Sequence, residues 1–94
     1  MTILMHIDLP ITAQQYDALN ERLQKQGPEF FAGCLAHVAV ADDGGVHVTD
    51  IWESTEAMEA FTERMMPFAR ELGLPQPEKP PTVSTAHNYW VPGM

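Results

Sequence analysis

The stretch "AHVAVADDGGVHVTDIWES", residues 36 to 54, constrains the fold more than any other part of the chain. Two runs of small and β-branched residues flank "DDGG", and Asp43-Gly44 suits the two central positions of a type I′ hairpin turn. Counting outward from a turn closed by Asp42 and Gly45 pairs 41 with 46, 39 with 48, 37 with 50 and 35 with 52. A four-residue loop keeps this register, whereas a three-residue loop moves one strand's side chains to the other face. The count sets an imidazole, His37, opposite a carboxylate, Asp50, with Leu35 and Trp52 on the same face. Two polar side chains among Val and Ala are costly to bury unless they satisfy each other. The pair is either a structural contact that sets register or a proton-handling site, and both readings stay open here.

The flanking segments supply the other elements. Residues 2 to 8, "TILMHID", alternate weakly and read as a first strand. In "ITAQQYDALNERLQKQGP", Thr12 and Gln15 have the spacing of a capping box, and Ile11 and Tyr16 that of its hydrophobic staple. Tyr16, Leu19 and Leu23 then recur at helical spacing until Gly27-Pro28 stops the helix. Ser54 caps a second helix with one apolar stripe of Met58, Phe61, Met65, Phe68 and Leu72; Gly73 ends it, and Pro67 is expected to divide it. "LPQPEKPP" is a proline-stiffened connector, and "TVSTAHNYW", residues 82 to 90, reads as a fourth strand.

The order β-α-β-β-α-β predicts one α+β domain over residues 1 to 94, a ferredoxin-like sandwich. Its four-stranded antiparallel sheet has both helices on one face. The hairpin strands nevertheless carry apolar or small residues at both parities, Val46 and Val48 on one and Ala36 and Ile51 on the other. The second face needs a cover, and a homodimer that joins the open faces supplies one. The C-terminal "WVPGM" is expected to reach onto the partner.

Charge narrows the partners. A formal charge of −8 with only five Lys and Arg is the wrong sign for nucleic acid or for an anionic membrane surface. Apolar runs are too short to cross a bilayer, and the N-terminus has neither the basic start nor the apolar core of a signal peptide. Cys34 is the single cysteine, which excludes an internal disulfide and fits a reducing cytoplasm. It falls on the opposite parity from His37 and reads as a small buried hydrophobe. The four histidines show no helical i, i+4 pair, so no metal site is expected. His87 is a candidate for a polar cavity position, with His6 behind it, and His47 belongs on the opposite face or in solvent.

With these elements in place, "HVTDIWESTEAMEAFTERMMPFARELG", preceded by "AHVA" and followed by "AHN", resembles the antibiotic-biosynthesis-monooxygenase-like, dimeric α+β barrel superfamily. The chain is most similar to its small actinobacterial-type members. The resemblance spans nearly the whole chain in element order but rests on short motifs. It implies a homodimer with a pocket between sheet and helices and Trp52 as an aromatic wall. The superfamily includes cofactor-independent quinone-forming monooxygenases, polyketide cyclases, haem-degrading oxygenases and stress proteins. Residue by residue, most of these chemistries lose support. Where the quinone-forming enzymes have Asn and Tyr around the matching Trp, this chain has Val48 and Met58. Plant cyclases carry Tyr and His on the second helix, where Phe61 and Ala69 stand, and the haem-ligating His corresponds to Glu71.

Two function classes follow. In one, a cofactor-independent monooxygenase or cyclase acts on an aromatic or polyketide-like small molecule, with His37 as base and Asp50 fixing its tautomer. Trp52, Leu35, Val48, Met58, Phe61, Met65 and His87 would then contact the substrate. In the other, the protein binds a hydrophobic small molecule, or acts as a stress-related accessory, and the His-Asp pair is structural. A cavity of roughly 300 Å³ or more that reaches both residues favours the first. No cofactor is expected in either.

Overall fold

A computed structural model describes residues 1–93; Met94, the end of "WVPGM", lies outside the described residues. The chain forms β1 (Ile3–Leu9), α1 (Ala13–Gln24), a short 3-10 helix (Pro28–Phe31), β2 (Cys34–Asp42), β3 (Gly45–Trp52), α2 (Thr55–Glu71) and β4 (Thr82–Thr85). The strands make one antiparallel sheet in the order β2-β3-β1-β4. With both helices packed on that sheet, this is the ferredoxin-like α+β sandwich.

Periodicity explains which face the helices cover. Along β3, Val46, Val48, Asp50 and Trp52 are buried while the residues between them are half-buried. On β1, Ile3 and Met5 join them, with Ile7 and Leu9 packed alongside. The capping box of α1 forms at both ends: the Gln15 N–H donates to Thr12 Oγ1 at 3.1 Å, and the Thr12 N–H donates to Gln15 Oε1 at 2.8 Å. Of the staple pair, Ile11 belongs to the core cluster and Tyr16 packs against it. At the hairpin end, Gly45 takes φ 129°, and a Cβ there would lie 2.3 Å from the Leu9 carbonyl oxygen, so no side chain fits.

Four details depart from the sequence reading. Pro67 does not divide α2, which runs unbroken from Thr55 to Glu71. Proline removes one N–H and so frees the carbonyl of Glu63; both residues are exposed, so solvent can satisfy that carbonyl and the helix need not break. Residues 28 to 31, read as chain past a helix stop, form the 3-10 helix with Pro28 in its first turn. β4 is short: Thr85 pairs with Ile3, and one further bond, from the Ala86 N–H to the Thr2 carbonyl (2.9 Å), ends the ladder. Finally, the hairpin register holds from Asp42–Gly45 to His37–Asp50 but slips between Cys34 and Ala36, so that Cys34, not Leu35, faces Trp52.

The sheet face away from the helices carries exposed Leu4, Val38 and Val40. A polar network shares it. Asp8 Oδ1 accepts from His47 Nδ1 at 2.6 Å and from His6 Nε2 at 3.0 Å, while His47 Nε2 donates to Asp42 Oδ1 at 2.9 Å. His6 Nδ1 lies 3.0 Å from Thr49 Oγ1. Hydrogen bonds to Asp8 and Asp42 hold the His47 imidazolium above its usual range, and His47 in turn holds both carboxyls below theirs. A raised histidine stabilises below its unfolded value of 6.5 and loses that contribution as pH rises through its folded value; a depressed carboxyl stabilises above 3.8 and loses it on acidification. His47→Gln should therefore cost most in melting temperature between those limits. The deficit against wild type is expected to be larger at about pH 5.5 than at about pH 9; equal deficits would contradict the network.

Candidate active site

His37 and Asp50 stand directly opposite each other on β2 and β3, with His37 Nδ1 2.6 Å from Asp50 Oδ1. Asp50 is 4% exposed, the one buried charged side chain among the described residues. Its second oxygen accepts from Trp52 Nε1–H at 3.1 Å, and Trp52 is 1% exposed. On the far side of the imidazole, the Tyr16 hydroxyl lies 2.5 Å from His37 Nε2, with the two rings inclined by only 5°. An ionised carboxylate only accepts, so in the neutral imidazole Nδ1 carries the hydrogen and Nε2 accepts from the Tyr16 O–H. The result is one continuous chain, Tyr16–His37–Asp50–Trp52, and among the described residues no buried side-chain N or O lacks a partner.

This chain of bonds borders a cavity of about 570 Å³ between the sheet and the helices. His37, Asp50, Trp52, Leu35, Val48, Met58, Phe61 and Met65 all line it. Cys34 and Ala36 line it too, because the irregularity at Leu35 turns the start of β2 inward. His87 does not: it follows β4, is exposed and is absent from the lining. His6 and His47 lie on the other sheet face, in the network with Asp8. The wall is mostly apolar, with Trp52 and Phe61 5.2 Å apart between ring centres and Phe30 and Phe31 of the 3-10 helix packed on Phe61. Its polar groups beyond the His-Asp pair are Tyr16, Asn20 and Gln24 on α1, Thr62 on α2 and Gln76 after it.

The slip also changes the position of Cys34. The regular count puts its thiol on the face opposite His37, whereas here it borders the same cavity. Burial, reinforced by the charge of Asp50, pushes the thiol up to about 11, so it is a thiol and not a thiolate at neutral pH. The expectation of an unactivated cysteine is thus met by desolvation rather than by geometry.

Sequence reasoning assigned Tyr16 to the hydrophobic staple and gave it no chemical part. The usable signal was the residue type: a Tyr on the inward face of a capped helix brings a hydroxyl that needs a partner. Burial, then the charges of Asp50 and Asp17, hold its phenol above the usual range. Phe31 was likewise unassigned, because its place depends on the 3-10 helix that the "GP" stop concealed.

No protein-family model matches the chain, and no curated protein matches it. Solved structures do. A candidate antibiotic biosynthesis monooxygenase from Chloroflexus aurantiacus superposes with a TM-score of 0.67 at 18% identity, over 99% of this chain and 100% of that one. SnoaB, a cofactor-independent oxygenase from Streptomyces nogalater, gives 0.57 at 18% identity, over 94% and 93%. A monooxygenase from the gene ActVA-Orf6 of Streptomyces coelicolor, solved with nanaomycin D, gives 0.51 at 21% identity, over 98% and 91%. At these identities the likeness is one of architecture: the chain has the fold of the antibiotic biosynthesis monooxygenase-like proteins.

Proposed function

We propose that the protein is a cofactor-independent enzyme that removes a proton from an aromatic or polyketide-like carbon acid, with His37 as base and Asp50 as the group that holds its tautomer. One observation carries this reading: a hydrogen-bonded imidazole–carboxylate pair opens onto an apolar cavity of about 570 Å³. A base needs an oriented lone pair and a site that keeps water from the anion it makes. Nδ1–H bonded to Asp50 aims Nε2 away from the sheet, and the aromatic and methionine walls suit a flat, apolar ligand. The delocalised anion then reacts with dioxygen, in net terms converting a CH₂ and O₂ into a carbonyl and water, or closes a ring. The architecture shared with SnoaB, described as a cofactor-independent oxygenase, supports the oxygenating branch.

The test is turnover of dithranol, a flat tricyclic hydroxyanthrone, by purified protein with no cofactor added. Oxygen uptake with quinone formation above the uncatalysed rate is expected. A rate no higher than buffer would leave the alternative, a binding or stress-related accessory protein in which the His-Asp pair is structural.

The working unit in this proposal is a homodimer joined through the open sheet face. Val38 and Val40 are 58% and 55% exposed there, and Tyr89, Trp90 and Val91 form a further exposed apolar run after β4. Light scattering at micromolar concentration should give twice the mass of the 10.5 kDa chain. A monomer would refute the assembly.

A further inference from the structure

We infer that Tyr16 receives the substrate's proton and passes its own to His37, and that the substrate therefore presents a phenolic or enolic hydroxyl. This rests on the reading of His37 as base and goes beyond it. Both imidazole nitrogens are engaged, Nδ1 with Asp50 at 2.6 Å and Nε2 with the Tyr16 hydroxyl at 2.5 Å. No lone pair of His37 is left to meet a substrate directly. The Tyr16 oxygen still has acceptor capacity after donating its one proton, and the residue faces the cavity. A neutral phenol oxygen accepts well from an O–H and poorly from a C–H. The carbon acid is thus bound as its phenol or enol tautomer, with the acidic proton on the oxygen that docks on Tyr16.

The step balances within these groups. The substrate O–H bond breaks and its proton bonds to the Tyr16 oxygen, while the Tyr16 O–H bond breaks and that proton bonds to His37 Nε2. The products are a substrate oxyanion, neutral Tyr16 and an imidazolium paired with Asp50. The oxyanion's charge spreads onto ring carbon, where dioxygen adds or a ring closes, and the renewed Tyr16 O–H donates to the oxyanion oxygen. Tyr16 never carries net charge. That suits its surroundings, since burial and the charges of Asp50 and Asp17 oppose a tyrosinate. Packing against the core cluster and the capped first turn of α1 hold the ring in place.

The experiment compares dithranol turnover in wild type, Tyr16→Phe, Tyr16→Ala and His37→Ala, with melting temperatures as the check on folding. Tyr16→Phe keeps the ring and should lower kcat by at least about 10²-fold with KM little changed. Tyr16→Ala should recover activity when phenol is added, but not with toluene, which fills the same space without the hydroxyl. Tyr16→Phe turning over at or above the wild-type rate, or equal rescue by toluene, would overturn the relay while leaving His37 as base. No wild-type turnover, or turnover retained in His37→Ala, would overturn the base reading and the relay together.

Discussion

Replacing His37 with Ala is expected to lower dithranol turnover by about 10² to 10⁴-fold, the usual contribution of a general base, while the protein stays folded. Folding should survive because the His37 side chain is 41% exposed and its loss still leaves Asp50 bonded to the Trp52 indole, although the Asp50 oxygen that loses its donor should lower stability by about 1–3 kcal/mol. Asp50→Asn is a sharper probe of the same site. An amide in place of the carboxylate donates toward Nδ1, which moves the imidazole proton to Nε2 and removes the lone pair that accepts from Tyr16. Large loss of turnover with a modest fall in melting temperature is the predicted pattern. A structural pair predicts the same fall, about 1–3 kcal/mol for a buried partner left unpaired, but with activity that persists in any variant that folds.

Trp52→Ala should give the largest stability loss of any single side-chain truncation. Trp52 and Val46 are the most buried large side chains, each 1% exposed, and Trp52 supplies the indole bond to Asp50 and the face that meets Phe61 at 5.2 Å. Truncating a buried Trp costs about 3–5 kcal/mol. Each kcal/mol moves the melting point of a domain this size by about 4–8 °C, and total stability is typically about 5–15 kcal/mol. Trp52→Phe should fall between, because it keeps most of the buried ring area but leaves an Asp50 oxygen without its donor, at about 1–3 kcal/mol. Denaturant midpoints of the three proteins check the order. An Ala variant within a few degrees of wild type would mean that Trp52 is not the centre of this core.

How much of this was legible in the sequence depended on whether local chemistry decided it. The "DDGG" turn sets register over seven residue pairs, so the facing of His37 and Asp50 followed from counting. The count stopped being valid at Leu35, where the strand becomes irregular. Gly33, at φ 92°, lies just before that point, and a Cβ there would sit 2.6 Å from the Ala57 Cβ. The approach of α2 to the start of β2 is a tertiary fact that no pattern within β2 announces. His87 was misplaced for a similar reason: "TVSTAHNYW" has strand propensity throughout, yet the ladder with β1 stops near Ala86. Propensity does not supply a partner strand. Tyr16 was visible as a staple residue, but its contact with His37 joins α1 to β2 across 21 residues of sequence. Its hydroxyl could be recognised as needing a partner, though not which one.

The absorption spectrum of dithranol under nitrogen tests the central claim most directly. Without dioxygen the oxidation cannot proceed, so the band of the dithranol anion reports proton removal alone. At neutral pH, wild type should raise that band well above its level in buffer, and His37→Ala, shown by its melting curve to be folded, should leave it at the buffer level. Equal bands in the two proteins would contradict the account, whatever either does when oxygen is present.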